Sequence, residues 1–187
     1  LKTIFNWSAG EMKFIIIQPV GEIKDELLTS LGEGLKEVFG YPYRISPLAK
    51  IPESSDNKDR GQYDAEVLLG EIAKNNSSVS KSLLGVIDVD LYVEGLNFVF
   101  GLADKGSAII SITRLRPEFY GEKRNEHLFK ERILKESIHE LGHTFGLHHC
   151  LDKRCVMHFS NSLEDTDIKS TDFCRSCSII INRKLSS

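Results

Sequence analysis

The sequence predicts an α/β fold of mixed character: a sheet with helices packed on it, followed by a smaller C-terminal appendage. Three observations carry that prediction. Strand-length apolar runs and stretches of helical period follow one another in the order β-α-β-α-β-β-β-α, which argues for a mixed sheet with helices laid against it. The chain has 187 residues, 41% of them hydrophobic, which suits one core and leaves no room for two large domains. Finally, all four cysteines and five of the six histidines fall between residues 139 and 177, which sets the tail apart.

The elements follow in order. Phe14–Gln18 is β-branched and bounded by Pro19, so it reads as a buried strand. Lys24–Phe39 carries Leu27, Leu28, Leu31, Leu35 and Val38 at helical spacing, weakened by Gly32 and Gly34 and stopped by Gly40-Tyr41-Pro42. Tyr43–Ile45 is a short strand and Pro52–Arg60 a polar loop. Tyr63–Lys74 is helical through Val67, Leu68 and Ile72, and Leu83–Val89 reads as a second central strand. Asn97–Leu102 and Ser107–Thr113 flank Ala103-Asp104-Lys105-Gly106 and read as a hairpin or as tightly joined strands. After a loop broken by Pro117, Asn125 caps a long helix expected to reach about Leu147, with Leu134, Ile138, Leu141 and Phe145 as its apolar stripe. A polar stretch, Asn161–Thr171, precedes a last helix from about Asp172. The expected organisation is a single domain with a break near residue 146, so that 12–146 ends in the long helix and 147–187 holds the cysteines. The first eleven residues lack periodicity and precede what reads as a native start at Met12; they are either foreign to the protein or an N-terminal extension.

Charge removes several function classes. Twenty-four basic against 27 acidic residues give a net charge of −3, with no basic excess to attract nucleic acid or an anionic membrane. Apolar runs such as Phe14–Ile17 are far too short to span a bilayer, and no apolar core of a secretory signal is visible. A soluble, cytoplasmic protein, monomeric by default, is the expectation.

The chemistry is concentrated in His139-Glu140-Leu141-Gly142-His143-Thr144-Phe145-Gly146-Leu147-His148-His149. His139 and His143 stand four apart on a predicted helix, so both imidazoles leave one face a turn apart, as two ligands of a tetrahedral zinc require. Glu140 can reach a zinc-bound water, whose pKa the metal lowers, and take its proton as the water attacks a carbonyl. Gly146 can adopt the left-handed conformation that ends a helix, letting the chain turn and return a third ligand. Spacing favours His149 over His148 for that position. Three protein ligands leave one position open, the mark of a catalytic site. His127 and His158 read as surface residues.

Cys150-x4-Cys155 and Cys174-x2-Cys177 have the spacing of a four-thiolate zinc site, closed and therefore structural, with two disulfides as the rival. Since Cys150 follows His149 directly, this second metal would clamp the chain that delivers the third catalytic ligand. The expected cofactors are thus two zinc ions per chain.

These residues resemble the archaemetzincin family, a branch of the metzincin zinc peptidases, whose pattern is HExxHxxGxxHC, then C-x-M, then CxxC. Here it is met by His139 through Cys150, Cys155-Val156-Met157, and Cys174-Arg175-Ser176-Cys177, over 39 residues. The sixteen-residue spacer after Met157 is one residue shorter than the family pattern. The resemblance implies that Met157 is the Met-turn residue, an apolar floor beneath the zinc ligands. It also implies a twisted, mostly parallel sheet with one antiparallel edge strand, along which a peptide would lie extended. Asn97–Leu102 and Ser107–Thr113 are the candidates for that edge. Peptidase activity, often aminopeptidase-like, is what the resemblance implies for function.

Other features stay unpromoted. Asp88-Val89-Asp90 lacks the glycine and distal glutamate of a calcium loop and reads as polar caps on a strand end. The mixed-charge run Glu122–Glu136 reads as a solvated helix face. The expected function is therefore a zinc peptidase acting on peptides or proteins, with a non-catalytic or latent zinc protein that binds peptides on the same scaffold as the alternative.

Overall fold

The computed structural model describes residues 14–74 and 80–186; the expected start at Met12 and the residues before it lie outside that set. Strand β1 (Phe14–Val20) is buried along its length except at Ile16 and runs on through Pro19. Proline is tolerated because the odd-numbered residues of β1 point their backbone groups toward β2 (Tyr43–Ile45), and β2 has ended by that level. Helix α1 (Asp25–Phe39) joins β1 to β2 and stops at Gly40, whose φ of 71° is left-handed. Its two glycines are contact points: a Cβ on Gly32 would stand 2.3 Å from the Tyr43 ring, and one on Gly34 would stand 2.8 Å from Leu134.

The expected loop at Pro52–Arg60 contains a short 3₁₀ turn and the two-residue strand β3 (Asp56–Asn57). β4 (Gln62–Asp64) occupies what reads as the first turn of a helix. Asp64 ends it, accepting from the backbone of Glu66 and Val67 to cap α2 (Ala65–Ala73). β5 (Ser80–Ile87), β6 (Leu91–Tyr92), β7 (Gly101–Asp104) and β8 (Ser107–Ser111) follow. The main sheet has the order β2-β1-β5-β8-β7, parallel except for antiparallel β7 at its edge; β3, β4 and β6 form a second, small sheet.

The edge falls on Gly101–Asp104. Ser107–Thr113 is therefore interior: β8 is laddered on both sides and all five of its residues are buried. Of the other expected run, only Gly101 and Leu102 belong to the edge strand. Alternation along the central strands creates two cores. Ile15, Ile17, Leu84, Val86, Ala108 and Ile110 face α1 and α3 (Glu126–Thr144), whereas Leu83, Ile87 and Ile109 face α2. Cys155, Val156, Met157, Cys177 and Ile181 join the first core, so the cysteine-rich tail is packed against the long helix.

Asn125 caps α3 as expected, accepting from the backbone of Leu128. The helix ends at Thr144 rather than Leu147. Gly146, at φ 88°, donates to His143 O while Leu147 donates to Gly142 O, a Schellman closure that turns the chain three residues early. The polar stretch after residue 161 holds α4 (Leu163–Ile168), closed by a capping box between Ser162 and Asp165. The last helix, α5 (Arg175–Leu185), begins three residues later than expected, with Cys174 at its N-cap.

Candidate active site

Helix α3 is buried on two faces, and the site grows from the polar one. Residues 132, 136, 139, 140 and 143 share that face by helical spacing. His139 and Glu140 are 4% and 6% exposed. The reading of Glu122–Glu136 as a solvated face holds for its first part, where Glu122, Lys123, Arg124, Glu126 and Lys130 are exposed, and fails after it: Arg132, Lys135 and Glu136 are all buried. Arg132 makes a two-pronged pair with Asp167 of α4, both bonds at 2.7 Å. Lys135 pairs with Glu131 and donates to Asp167 O. Lys169, wholly buried, meets Glu136 at 2.9 Å. The charges are internal because α4 and the chain after it fold over them.

The structure brings His139, His143 and His149 together, their ligating nitrogens within 4.8 Å of one another. His139 Nδ1 donates to Val156 O and His143 Nδ1 to Leu147 O, each at 2.8 Å. A backbone carbonyl can only accept, so these bonds fix the tautomer and leave both Nε2 lone pairs free; the two Nε2 atoms are 3.2 Å apart. Burial lowers the proton affinity of His139 well below the ordinary value, with Lys169 adding to the effect, and burial also lowers those of His143 and His149. Neutral imidazoles aimed at one point are a fitting donor set for a divalent metal. The Schellman turn thus ends the helix and supplies the carbonyl that aims His143. His148 is exposed and outside the cluster, His127 is exposed on α3, and half-buried His158 donates from Nδ1 to Cys150 O.

Met157 lies directly under the ligand helix. A Cβ on Gly142 would fall 2.4 Å from its Sδ, so the residue between the histidines must be glycine for this floor to close. Glu140 reaches the edge strand in the same way: a Cβ on Gly101 would stand 2.6 Å from Glu140 Cγ and 2.8 Å from Oε1. Burial, with help from the charge of Glu136 and against Lys169, raises the Glu140 carboxyl to about 8. A cleft of about 180 Å³ opens here, lined by residues 96–101, Glu136, His139, Glu140 and residues 159–161.

Cys150, Cys155, Cys174 and Cys177 form the second group, again with ligand atoms within 4.8 Å. They converge as four free thiols, not as two bonded pairs. The Cys177 backbone N–H, at the start of α5, lowers Cys174 to about 7, whereas burial raises Cys155 and Cys177. Cys150 N donates to Met157 O, so this cluster, the methionine floor and His149 are tied within a few bonds.

Residues 13–183 match the model of the family described as peptidase family M54. The chain belongs to that family. An archaemetzincin from Methanocaldococcus jannaschii is 47% identical over 165 residues, covering 87% of this chain and 89% of that protein. One from Pyrococcus furiosus is 45% identical over 171 residues, covering 87% and 89%. The crystal structure of archaemetzincin from Methanopyrus kandleri superimposes with a TM-score of 0.81 at 36% identity, over 95% of this chain and 98% of that one. A zinc-dependent peptidase from Methanocorpusculum labreanum superimposes with a TM-score of 0.82 at 29% identity, over 90% and 100%. An M54 chain is a zinc metallopeptidase, and this one carries a three-histidine and a four-cysteine group consistent with zinc. Among the described residues, no helix is long and apolar enough to cross a membrane.

The motif residues were legible in the sequence; Glu136, Thr166 and Lys169 were not. The faint signal available was an acidic residue three positions before His139 on the ligand face.

Proposed function

We propose that the chain hydrolyses peptide bonds with His139, His143 and His149 as the ligands of a catalytic zinc and Glu140 as general base. The observation that carries this reading is the convergence of three imidazoles, two of which, His139 and His143, have their opposite nitrogens committed to carbonyls. A zinc ion held there supplies Lewis acidity toward the scissile carbonyl and the attacking water. Glu140, one residue beyond the first ligand, takes the proton of that water and returns it to the departing amine. Burial and the charge of Glu136 raise its proton affinity in the metal-free site, which favours its holding the proton until the departing amine takes it. His139 and Glu140 are buried, and the lower polarity around them strengthens their interactions. The free side of β7 offers backbone groups to an extended substrate, which reaches Glu140 because Gly101 has no side chain. Met157 floors the site.

A second zinc held by Cys150, Cys155, Cys174 and Cys177 has no open position and acts structurally, holding the segment that carries His149. The break near residue 146 then separates the helix bearing two ligands from the tail bearing the third. The reading includes a monomer in a cytoplasmic setting; four cysteines converging at one point suit a metal site better than disulfides, as in a reducing compartment. Its substrates are peptides, cut either internally or from the amino end.

Mass-spectrometric profiling of a mixed peptide library tests the reading, with the zinc-replete wild type against Glu140→Ala. Cleavage present in the first and absent in the second is expected, at equal zinc content. Stepwise loss of N-terminal residues identifies an aminopeptidase and internal cuts an endopeptidase. Equal cleavage by both proteins removes Glu140 from the role of base.

A further inference from the structure

We infer that the cleft beside Glu140 selects its substrate by a primary amine, received by Glu136 and Ser160. The inference rests on the peptidase reading and names the chemistry that its substrate brings. Glu136 lies on α3 one turn before Glu140 and lines the same cleft. Its side chain is 3% exposed. Lys169 Nζ and Thr166 Oγ1 both engage Oε1, at 2.9 and 2.8 Å. Two partners on one oxygen fix the carboxylate and leave Oε2 outside both bonds. Ser160, two residues past His158, lines the cleft too, and its buried Oγ has no hydrogen-bond partner. A buried polar atom without a partner is uncommon in a folded protein and marks a place where another group belongs.

The missing group is a donor. A carboxylate oxygen can only accept, and a hydroxyl has lone pairs to offer; an ammonium has three N–H donors and no acceptor. An acidic group would meet Glu136 and Glu140 together, with Lys169 already committed behind them. Phe98, Val99, Phe100 and Phe159 give the cleft an apolar side, and Asn97 and Asn161 add neutral polar groups to its lining. That surface suits a methylene stem carrying a cationic head. A volume of about 180 Å³ holds one side chain or one chain end rather than a folded partner. The amine can come from a lysine side chain next to the scissile bond or from the α-amino group of the substrate.

Zinc-loaded Glu140→Ala protein, which leaves Glu136 as the motif-face carboxylate, is titrated with paired alanine-based hexapeptides. One pair exchanges lysine for norleucine, which keeps the stem and removes the charge. The other pair exchanges a free for an acetylated N-terminus. Binding about tenfold or more tighter for the amine member of either pair is the expected result, the pair that responds identifying the source. Equal affinities in both pairs, or tighter binding of the neutral members, overturn the inference. Ser160→Ala, and separately Glu136→Gln with Lys169→Met so that neither charge is left alone, should erase the preference at unchanged zinc content. Persistence of the preference in both overturns the assignment to these residues, and Ser160→Ala decides if the double variant does not fold. An amine preference in binding alongside no cleavage by the wild type refutes the peptidase reading and leaves this one standing. Cleavage without any amine preference does the reverse.

Discussion

Gly101→Ala is the smallest change that addresses the reach of Glu140. The new methyl would sit 2.6 Å from Glu140 Cγ and 2.7 Å from the backbone oxygen of Ile109. Ordinary carbon–carbon contact is 3.5–4.0 Å, so the Glu140 side chain falls short by about an ångström. Neither neighbour can yield easily. Ile109 belongs to an interior strand laddered on both sides, and Glu140 is 6% exposed on a helix packed on two faces. The edge strand or the carboxylate must therefore move. A misplacement of about 1 Å can cost on the order of 10²-fold in rate, and overpacking costs about 1–3 kcal/mol in stability. The expectation is a kcat lowered by about 10²-fold, a smaller change in KM, and full zinc occupancy because the atoms nearest the methyl belong to Glu140 and Ile109. Steady-state kinetics on a cleaved peptide, with zinc content by mass spectrometry and a thermal melt, measure all three. A kcat within about threefold of the wild type would refute the claim that this contact sets the position of Glu140.

Gly146→Ala places a methyl on a left-handed residue at φ 88° and should cost about 1–2 kcal/mol, read as a lower melting temperature. Because the same turn aims His143 and redirects the chain to His149, weaker zinc retention against a chelator should accompany it. Lys169→Met alone leaves Glu136 buried without its cation and should lose about 3–5 kcal/mol, whereas Lys169→Met with Glu136→Gln should recover most of that loss in denaturant melts. For metal-free protein, burial raises Glu140 from the usual 4.5 to about 8. The folded state then holds a proton that the unfolded state has released, so this group's contribution to stability is complete below 4.5 and falls as pH rises toward 8, by at most about 1.4 kcal/mol per pH unit. Glu140→Gln should therefore gain on the wild type steadily from pH 5 to 8 in thermal melts, and an unchanging difference would contradict the burial argument. Chelation should lower the melting temperature in two separable steps if the histidine and cysteine groups hold separate ions; Cys155→Ser should remove one step and leave the histidine-bound one.

The chain displayed its histidine and cysteine groups because their spacings are local. His139 and His143 are one helical turn apart, Gly146 forces the turn, and Cys150 follows His149; each relation is set by backbone geometry within a dozen residues. The central strands were equally plain, being continuous apolar runs buried on both faces. What escaped was non-local or marginal. The edge strand is four residues long, and its placement depends on β8 finding β5 more than twenty residues earlier in the chain. α4 has six residues and was hidden in a polar stretch, although Ser162 and Asp165 form a capping box. Reading Glu122–Glu136 as solvated held for its exposed first half and failed at Arg132, Lys135 and Glu136 for a physical reason: charge alternation reports that a helix face is polar, not what covers it. Its partners Thr166, Asp167 and Lys169 lie some thirty residues away.

The same misreading explains why the site is built as it is. A helix that carries His139, Glu140 and His143 beside its core cannot be apolar all round, since His139 and Glu140 are buried yet polar. Next to them the face carries Arg132, Lys135 and Glu136, each answered by α4 or the chain beyond it. Buried ion pairs contribute little to net stability, because desolvation offsets most of the attraction, but a broken pair is strongly unfavourable. Their effect is to reject alternatives. A shift of α3 by one residue would separate Arg132 from Asp167 and Glu136 from Lys169, leaving charges unpaired in the interior. The charged belt thus acts as a register lock on α3, while Gly142 over Met157 and Gly101 beside Glu140 permit a depth of seating that any side chain there would prevent. Rotation, translation and depth of the helix are each fixed by a different contact, and the positions of His139, Glu140 and His143 follow from those three constraints together.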